Sequence, residues 1–161
     1  MKFSIRTTLT ALIIGATLVS CGQNSKAVEE EESAPVSMIE EEKPMYEIGE
    51  EQRTFFVNIE DGEEVSSPLM IQMGVEGMEV EPAGMIKSNF GHHHMIVDGS
   101  PIPMGQVVPA DGQHIHYGDG RIETELELTP GPHTLTLQFA DGVHQSYGEA
   151  MSATISVIVK E

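Results

Sequence analysis

The folded part of the chain announces itself by alternation. From about Thr54, Phe55, Val57 and Ile59 share one phase, and Leu69, Ile71, Met73 and Val75 share another such run. Further on, Ile122, Thr124, Leu126 and Leu128 stand opposite Glu123, Glu125 and Glu127, and Leu135, Leu137 and Phe139 opposite Thr134, Thr136 and Gln138. Ala153, Ile155, Val157 and Val159 alternate with Ser152, Thr154 and Ser156. A period of two, apolar on one side and polar on the other, predicts half-buried antiparallel strands. Asp61-Gly62, Thr129-Pro130-Gly131-Pro132 and Asp141-Gly142 supply the turns between them.

No segment of this region sustains a helical period. Six or seven short strands in about 105 residues predict an all-β domain, an immunoglobulin-like antiparallel β-sandwich spanning residues 54–161. One hydrophobic core of that size is feasible without disulfides. The stretch from Gly99 to Gly120, rich in Pro and Gly, reads as too irregular for a strand, and a connection of that length in a compact domain is usually functional or disordered.

Upstream the composition is different. Residues 21–53 carry ten Glu, with Pro35 and Pro44 and few large apolar groups, so they cannot bury enough surface to offset their ordering entropy. The expectation is a disordered, charge-extended tether. Before it, Lys2 and Arg6 precede a short apolar stretch from Leu9 to Val19, the pattern of a secretory signal over residues 1–20. The run Leu18-Val19-Ser20-Cys21 resembles a bacterial lipobox, which implies cleavage before Cys21, lipid on its thiol and amino terminus, and membrane attachment through that lipid. Gly22 after the cysteine resembles lipoproteins passed on to the outer membrane of diderm bacteria. Glu29 to Glu32 resembles surface-export signals of some lineages.

Cys21 is the only cysteine, so once lipidated it leaves no thiol for catalysis, redox exchange or zinc ligation. The net charge of −18 becomes −20 when Lys2 and Arg6 leave with the signal, which argues against nucleic acid and anionic headgroups as partners.

Candidate chemistry gathers in the histidines. All seven lie between positions 92 and 144, five of them in the runs His92-His93-His94 and His114-Ile115-His116. In a strand, residues two apart share a face, so each His-x-His presents two imidazoles side by side. His92, His94, His114 and His116 are therefore candidate metal ligands, with Zn²⁺ or Cu²⁺ as the ion. Asp98, Asp111 and Asp119 are candidates for ligands or for carboxylates that orient the rings. His93 shares its face with Met95 and Val97, and the pattern leaves open which face of that strand is buried. His133, in phase with Leu135, reads as structural, and His144, after a turn, as at most a peripheral ligand. The competing reading has the histidines merely bonding loop carbonyls and carboxylates.

Gly91-His92-His93-His94, His114-Ile115-His116-Tyr117-Gly118, the stretch Pro130 to Gly142 and the ending His144 to Gly148 through Met151 to Ile155 are together similar to a bacterial secreted family of unknown function with a Gly-His-His-His signature. The resemblance covers roughly residues 60–160. It implies the fold and an envelope location, and no activity. Many relatives carry His-Val-Pro-His where this chain has His144-Gln145-Ser146-Tyr147, so no ligand set carries over.

Catalytic residues are not identified: no Gly-x-Ser-x-Gly elbow, phosphate loop or His-Glu-x-x-His occurs. The seven domain methionines read mainly as core filler. Two functional readings follow. The first is a lipid-anchored, non-enzymatic binding module for a metal ion, a peptide or another envelope protein. The alternative is a small metal-dependent enzyme using His92, His94 and one of His114 or His116.

Overall fold

The computed structural model describes residues 46–161; the expected signal sequence, Cys21 and the expected tether as far as residue 45 lie outside the described residues. Nine strands form two sheets, and the single helical element among the described residues is a 3₁₀ turn, Glu149–Met151. The smaller sheet has the order β1 (Arg53–Phe56), β3 (Leu69–Glu76), β7 (Glu123–Leu126), all antiparallel. The larger has the order β2 (Glu63–Val65), β9 (Ser152–Val159), β8 (Gly131–Ala140), β5 (Phe90–Val97). The free edge of β5 is shared: β4 (Glu79–Val80) pairs with its start and β6 (His114–His116) with its second half.

The sheets enclose one core. Leu69, Ile71, Met73 and Leu126 from the smaller sheet meet Met95, Leu135, Leu137, Val157 and Val159 from the larger. Each large apolar side chain so buried is worth roughly 1.5–3 kcal/mol. Strand orders β1-β3-β7 and β9-β8-β5 are the A-B-E and G-F-C orders of an immunoglobulin-like sandwich, and the sandwich expected from the alternation is present. The sheets are not purely antiparallel, because β2 runs parallel to β9 and β4 parallel to β5.

Two local expectations change. Strand β1 ends at Phe56, and within it the inward phase is Thr54 and Phe56 rather than Phe55, whereas Ile59, beyond the strand, is buried in the core as expected. Val57 is exposed, and beyond it the Asn58 side chain takes over the pairing with β3, donating to the Met70 carbonyl and accepting from the Gln72 amide. Ordered packing also begins before Thr54. Tyr46 and Ile48 lie against a second apolar cluster of Met78, Phe139, Tyr147 and Met151.

The region from Gly99 to Gly120 is not wholly irregular, since it contains β6, antiparallel to β5. Its first residues, 99–102, lie against the outer face of the large sheet. Thr136 Oγ1 donates to the Gly99 carbonyl, and Gln138 Oε1 accepts from the Ile102 amide. Gln138 Nε2 also reaches the carbonyls of Gly148 and Met151. Strands β5 and β8 are thereby covered on both faces, and Gly91 to Ile96 are buried without a break.

Candidate metal centre

On β5 the side chains of Met95 and Val97 enter the inter-sheet core, so His93, in the same phase, points inward too. It is fully buried beside Phe139, with Nδ1 3.4 Å from Thr54 Oγ1 and no partner for Nε2. His92 and His94 occupy the opposite face, beneath the covering loops, at 0 % and 2 % exposure. Pairing of β6 with β5 sets His116 directly across from His94. His144, on the turn after β8, closes the group from the other side.

Four Nε2 atoms meet there. His94 to His92 is 3.0 Å, His92 to His116 is 3.2 Å, and His116 to His144 is 3.0 Å. Ring centroids of the four lie 4.6–5.9 Å apart. Ligand atoms of His92, His94 and His116 all fall within 4.8 Å of one another. Nitrogens bound to one ion at about 2.0–2.1 Å would be about 3.3 Å apart along a tetrahedral edge, close to the observed contacts.

Mutual hydrogen bonding does not account for this arrangement. An imidazole Nε2 has a single site in the ring plane, either one N–H or one lone pair. His92 Nε2 touches two neighbours and so does His116 Nε2, so at most two of the three contacts can be hydrogen bonds at once. Nδ1 of His92 and of His94 is buried with no partner, and an unsatisfied buried polar group costs about 1–3 kcal/mol. The fold has gathered desolvated nitrogens that it does not itself satisfy.

Electrostatics keeps His92, His94 and His116 neutral. Burial, then the neighbouring His116 and His144, lowers His92 to about 4. Burial, then His92, His116, His144 and His93, lowers His94 to about 2. His116 is lowered as well, chiefly by desolvation and then by His144. At neutral pH the lone pairs are free to bind a cation. Asp141, fully buried after β8, acts in the other direction on His92 and favours positive charge there.

Local sequence explains how the outer two rings reach the group. Gly118 makes room for His116: a Cβ there would lie 2.1 Å from His116 Cε1 and 2.2 Å from Nε2. His144 stands at φ 71°, a left-handed conformation that few residues other than glycine adopt. Asp141 holds that turn by accepting the Val143 and Gln145 amides on Oδ1.

Of the residues singled out from sequence, His92, His94 and His116 come together. His114 does not; it faces Ile96, two pairs further along, and its Nδ1 binds Asp111 Oδ1 at 2.7 Å. The three expected carboxylates are engaged elsewhere. Asp98 binds His133 Nδ1 and the Thr134 amide, Asp111 holds His114, and Asp119 pairs with Arg121. His144 and Asp141 take the places that His114 and those carboxylates were expected to fill. Among the methionines, Met73, Met78, Met95 and Met151 are buried in apolar clusters, whereas Met85 is 81 % exposed.

Comparisons with curated proteins and with solved structures each gave no match. A family model does match residues 71–160, more than half of the chain and a span that includes all four clustered histidines, and its description is Domain of unknown function (DUF4399). The chain therefore belongs to the DUF4399 family.

Proposed function

We propose that this protein is a metal-binding module of the bacterial envelope, taking one Zn²⁺ or Cu²⁺ ion through Nε2 of His92, His94, His116 and His144. The observation that carries this reading is the convergence of four imidazole nitrogens whose contacts cannot all be hydrogen bonds. Imidazole is a good donor for both ions, and in a site with neither thiolate nor carboxylate Cu²⁺ binds the tighter of the two. Four protein donors resemble a closed site; hydrolytic zinc sites use three and keep the fourth position for water. Histidine membership thus favours holding or handing on an ion over metal-assisted hydrolysis. The envelope location and lipid anchor rest on the signal-like start and on Leu18-Val19-Ser20-Cys21.

The test is metal analysis and Zn²⁺ and Cu²⁺ titration of the full chain, purified in detergent with an affinity tag free of histidine. One ion per chain is expected, with Kd tighter than about 10 μM, or roughly −7 kcal/mol. His92→Ala with His94→Ala abolishes binding, while His114→Ala leaves it intact. Failure of both ions to bind, or indifference of affinity to the His92 and His94 changes, refutes the site.

A further inference from the structure

His144 is the one clustered histidine that no sheet holds. Its position depends on Asp141, which binds the turn through four hydrogen bonds: Oδ1 accepts the Val143 amide at 2.9 Å and the Gln145 amide at 2.8 Å, the Asp141 carbonyl accepts the His144 amide at 3.0 Å, and the Asp141 amide donates to the Gln145 carbonyl at 2.9 Å. The His144 carbonyl accepts from the Val108 amide, so its backbone is fully engaged. These bonds hold a histidine in left-handed geometry that costs about 1–2 kcal/mol when unsupported.

The remaining oxygen of Asp141 is claimed from far away in sequence. Tyr46 donates its hydroxyl to Asp141 Oδ2 at 2.7 Å, and Gln145 Oε1 lies 3.2 Å from the same hydroxyl. The Tyr46 ring packs edge-on against Tyr147 at 4.5 Å and joins the cluster of Met78, Phe139 and Met151. Burial, then the bond to Asp141, raises the pKa of this phenol, so it remains a donor. Tyr46 therefore touches both ends of the turn that carries His144, Asp141 before it and Gln145 after it.

We propose that Tyr46 is a positioning residue for the four-histidine site, and that the segment entering β1 is a strap whose seating sets how tightly the site holds its ion. Tyr46 fixes Asp141, Asp141 fixes the turn, and the turn delivers His144 to a trio already placed by β5 and β6. With the strap unseated, a three-histidine site of lower affinity remains. Because binding free energies are reciprocal, the ion in turn secures the strap. This inference rests on the metal reading above.

The experiment compares the full wild-type chain with Tyr46→Phe, His144→Ala and the double variant, using Cu²⁺ competition titration and the electron paramagnetic resonance spectrum of the Cu²⁺-loaded protein. Tyr46→Phe is expected to weaken Cu²⁺ binding about 10-fold, the scale on which groups that orient metal ligands act. Its spectrum moves toward that of His144→Ala. In the His144→Ala background, Tyr46→Phe changes nothing further, since the residue it positions is gone. Unchanged affinity and spectrum in Tyr46→Phe overturn the strap, as does an equal loss in the His144→Ala background. If Tyr46→Phe does not fold, hydrogen exchange on the wild type decides: Cu²⁺ slows exchange of the amides at 46–48 and 141–145, and no change there overturns the proposal. A wild type that binds neither Cu²⁺ nor Zn²⁺ overturns the metal reading itself, a result distinct from wild-type binding that Tyr46→Phe leaves untouched.

Discussion

Acid should unfold the metal-free domain, and the size of the effect follows from three buried rings. His92 and His93 each sit at about 4 and His94 at about 2, all lowered first by burial. In the unfolded chain each returns to roughly 6.5. A group whose folded pKa is depressed stabilises the fold fully only above its unfolded value. As pH falls from about 6.5 toward 4, the unfolded chain takes up protons that the folded chain refuses, at about 1.4 kcal/mol per pH unit per ring. At pH 4.5, roughly two units below the unfolded value, His93 alone costs about 3 kcal/mol and the three rings together about 8 kcal/mol at most. A domain typically has only about 5–15 kcal/mol to lose.

Other titrating groups do not mask this window. Asp98, Asp111 and Asp119 are held below the usual carboxylate range by hydrogen bonds from Thr134, His114 and Arg121 respectively, so their contributions fade only at lower pH. His133, raised chiefly by its hydrogen bond to Asp98, works in the opposite sense, and as one ring against three it offsets only part of the effect. The assay is urea denaturation in chelator at intervals from pH 7.5 to 4.5, whose slope against pH counts the protons. His93→Leu should flatten that slope by about one proton while leaving stability near pH 7.5 within about 1 kcal/mol, since it removes an unpaired buried nitrogen. A wild-type stability independent of pH over this range, or a His93→Leu slope equal to wild type, would falsify the reasoning.

Two substitutions probe the glycines that shape the site and the sheet. Gly118→Ala pushes against the His116 ring at its ligating atom and should lower Cu²⁺ affinity about 10-fold, with the melting temperature in chelator nearly unchanged; a variant that binds as wild type argues against His116 as a ligand. Gly91→Ala drives a Cβ to 2.2 Å from the Ala140 carbonyl oxygen within the packed sheet and should destabilise the domain by about 3 kcal/mol in urea. A loss under about 1 kcal/mol would show that β5 and β8 can part there without strain.

Legibility in the sequence tracked how local each constraint is. Strands β3, β8 and β9 could be read because their apolar phase matches the buried face: Leu69, Ile71 and Met73; Leu135, Leu137 and Phe139; Val157 and Val159. The face of β5 could not, because both of its faces are covered and, unlike β8 with its Thr and Gln phase, it carries histidine on each of them. The His92 and His94 pair followed from the two-residue period, and so did the ambiguity between His114 and His116. Only register resolves it, setting His116 across from His94 and His114 across from Ile96. His144, after a turn, reads as at most peripheral, and its place in the group depends on Asp141 and Tyr46, whose contact spans 95 residues of sequence. The local signal available was Asp141-Gly142 two residues ahead of it, an aspartate poised to accept amides from its own turn.

On the proposed metal reading, the distribution of the four rings over the fold bears on how an ion would enter and what would set its affinity. His92 and His94 form the floor, buried on a strand paired along both edges, so their positions carry no ordering cost on binding. His116, exposed on the short strand β6, and half-buried His144 form the rim. On that reading, an ion would arrive past the rim and meet a floor already in place. Burial first, and then repulsion between rings, makes a proton a poor occupant of the floor, whereas a single bound cation would satisfy all the lone pairs together. The adjustable part of the site is then the rim, and within the rim the residue held by a turn rather than by a sheet. Affinity can be tuned through His144 without disturbing the sandwich, and Asp141 is where such tuning would act.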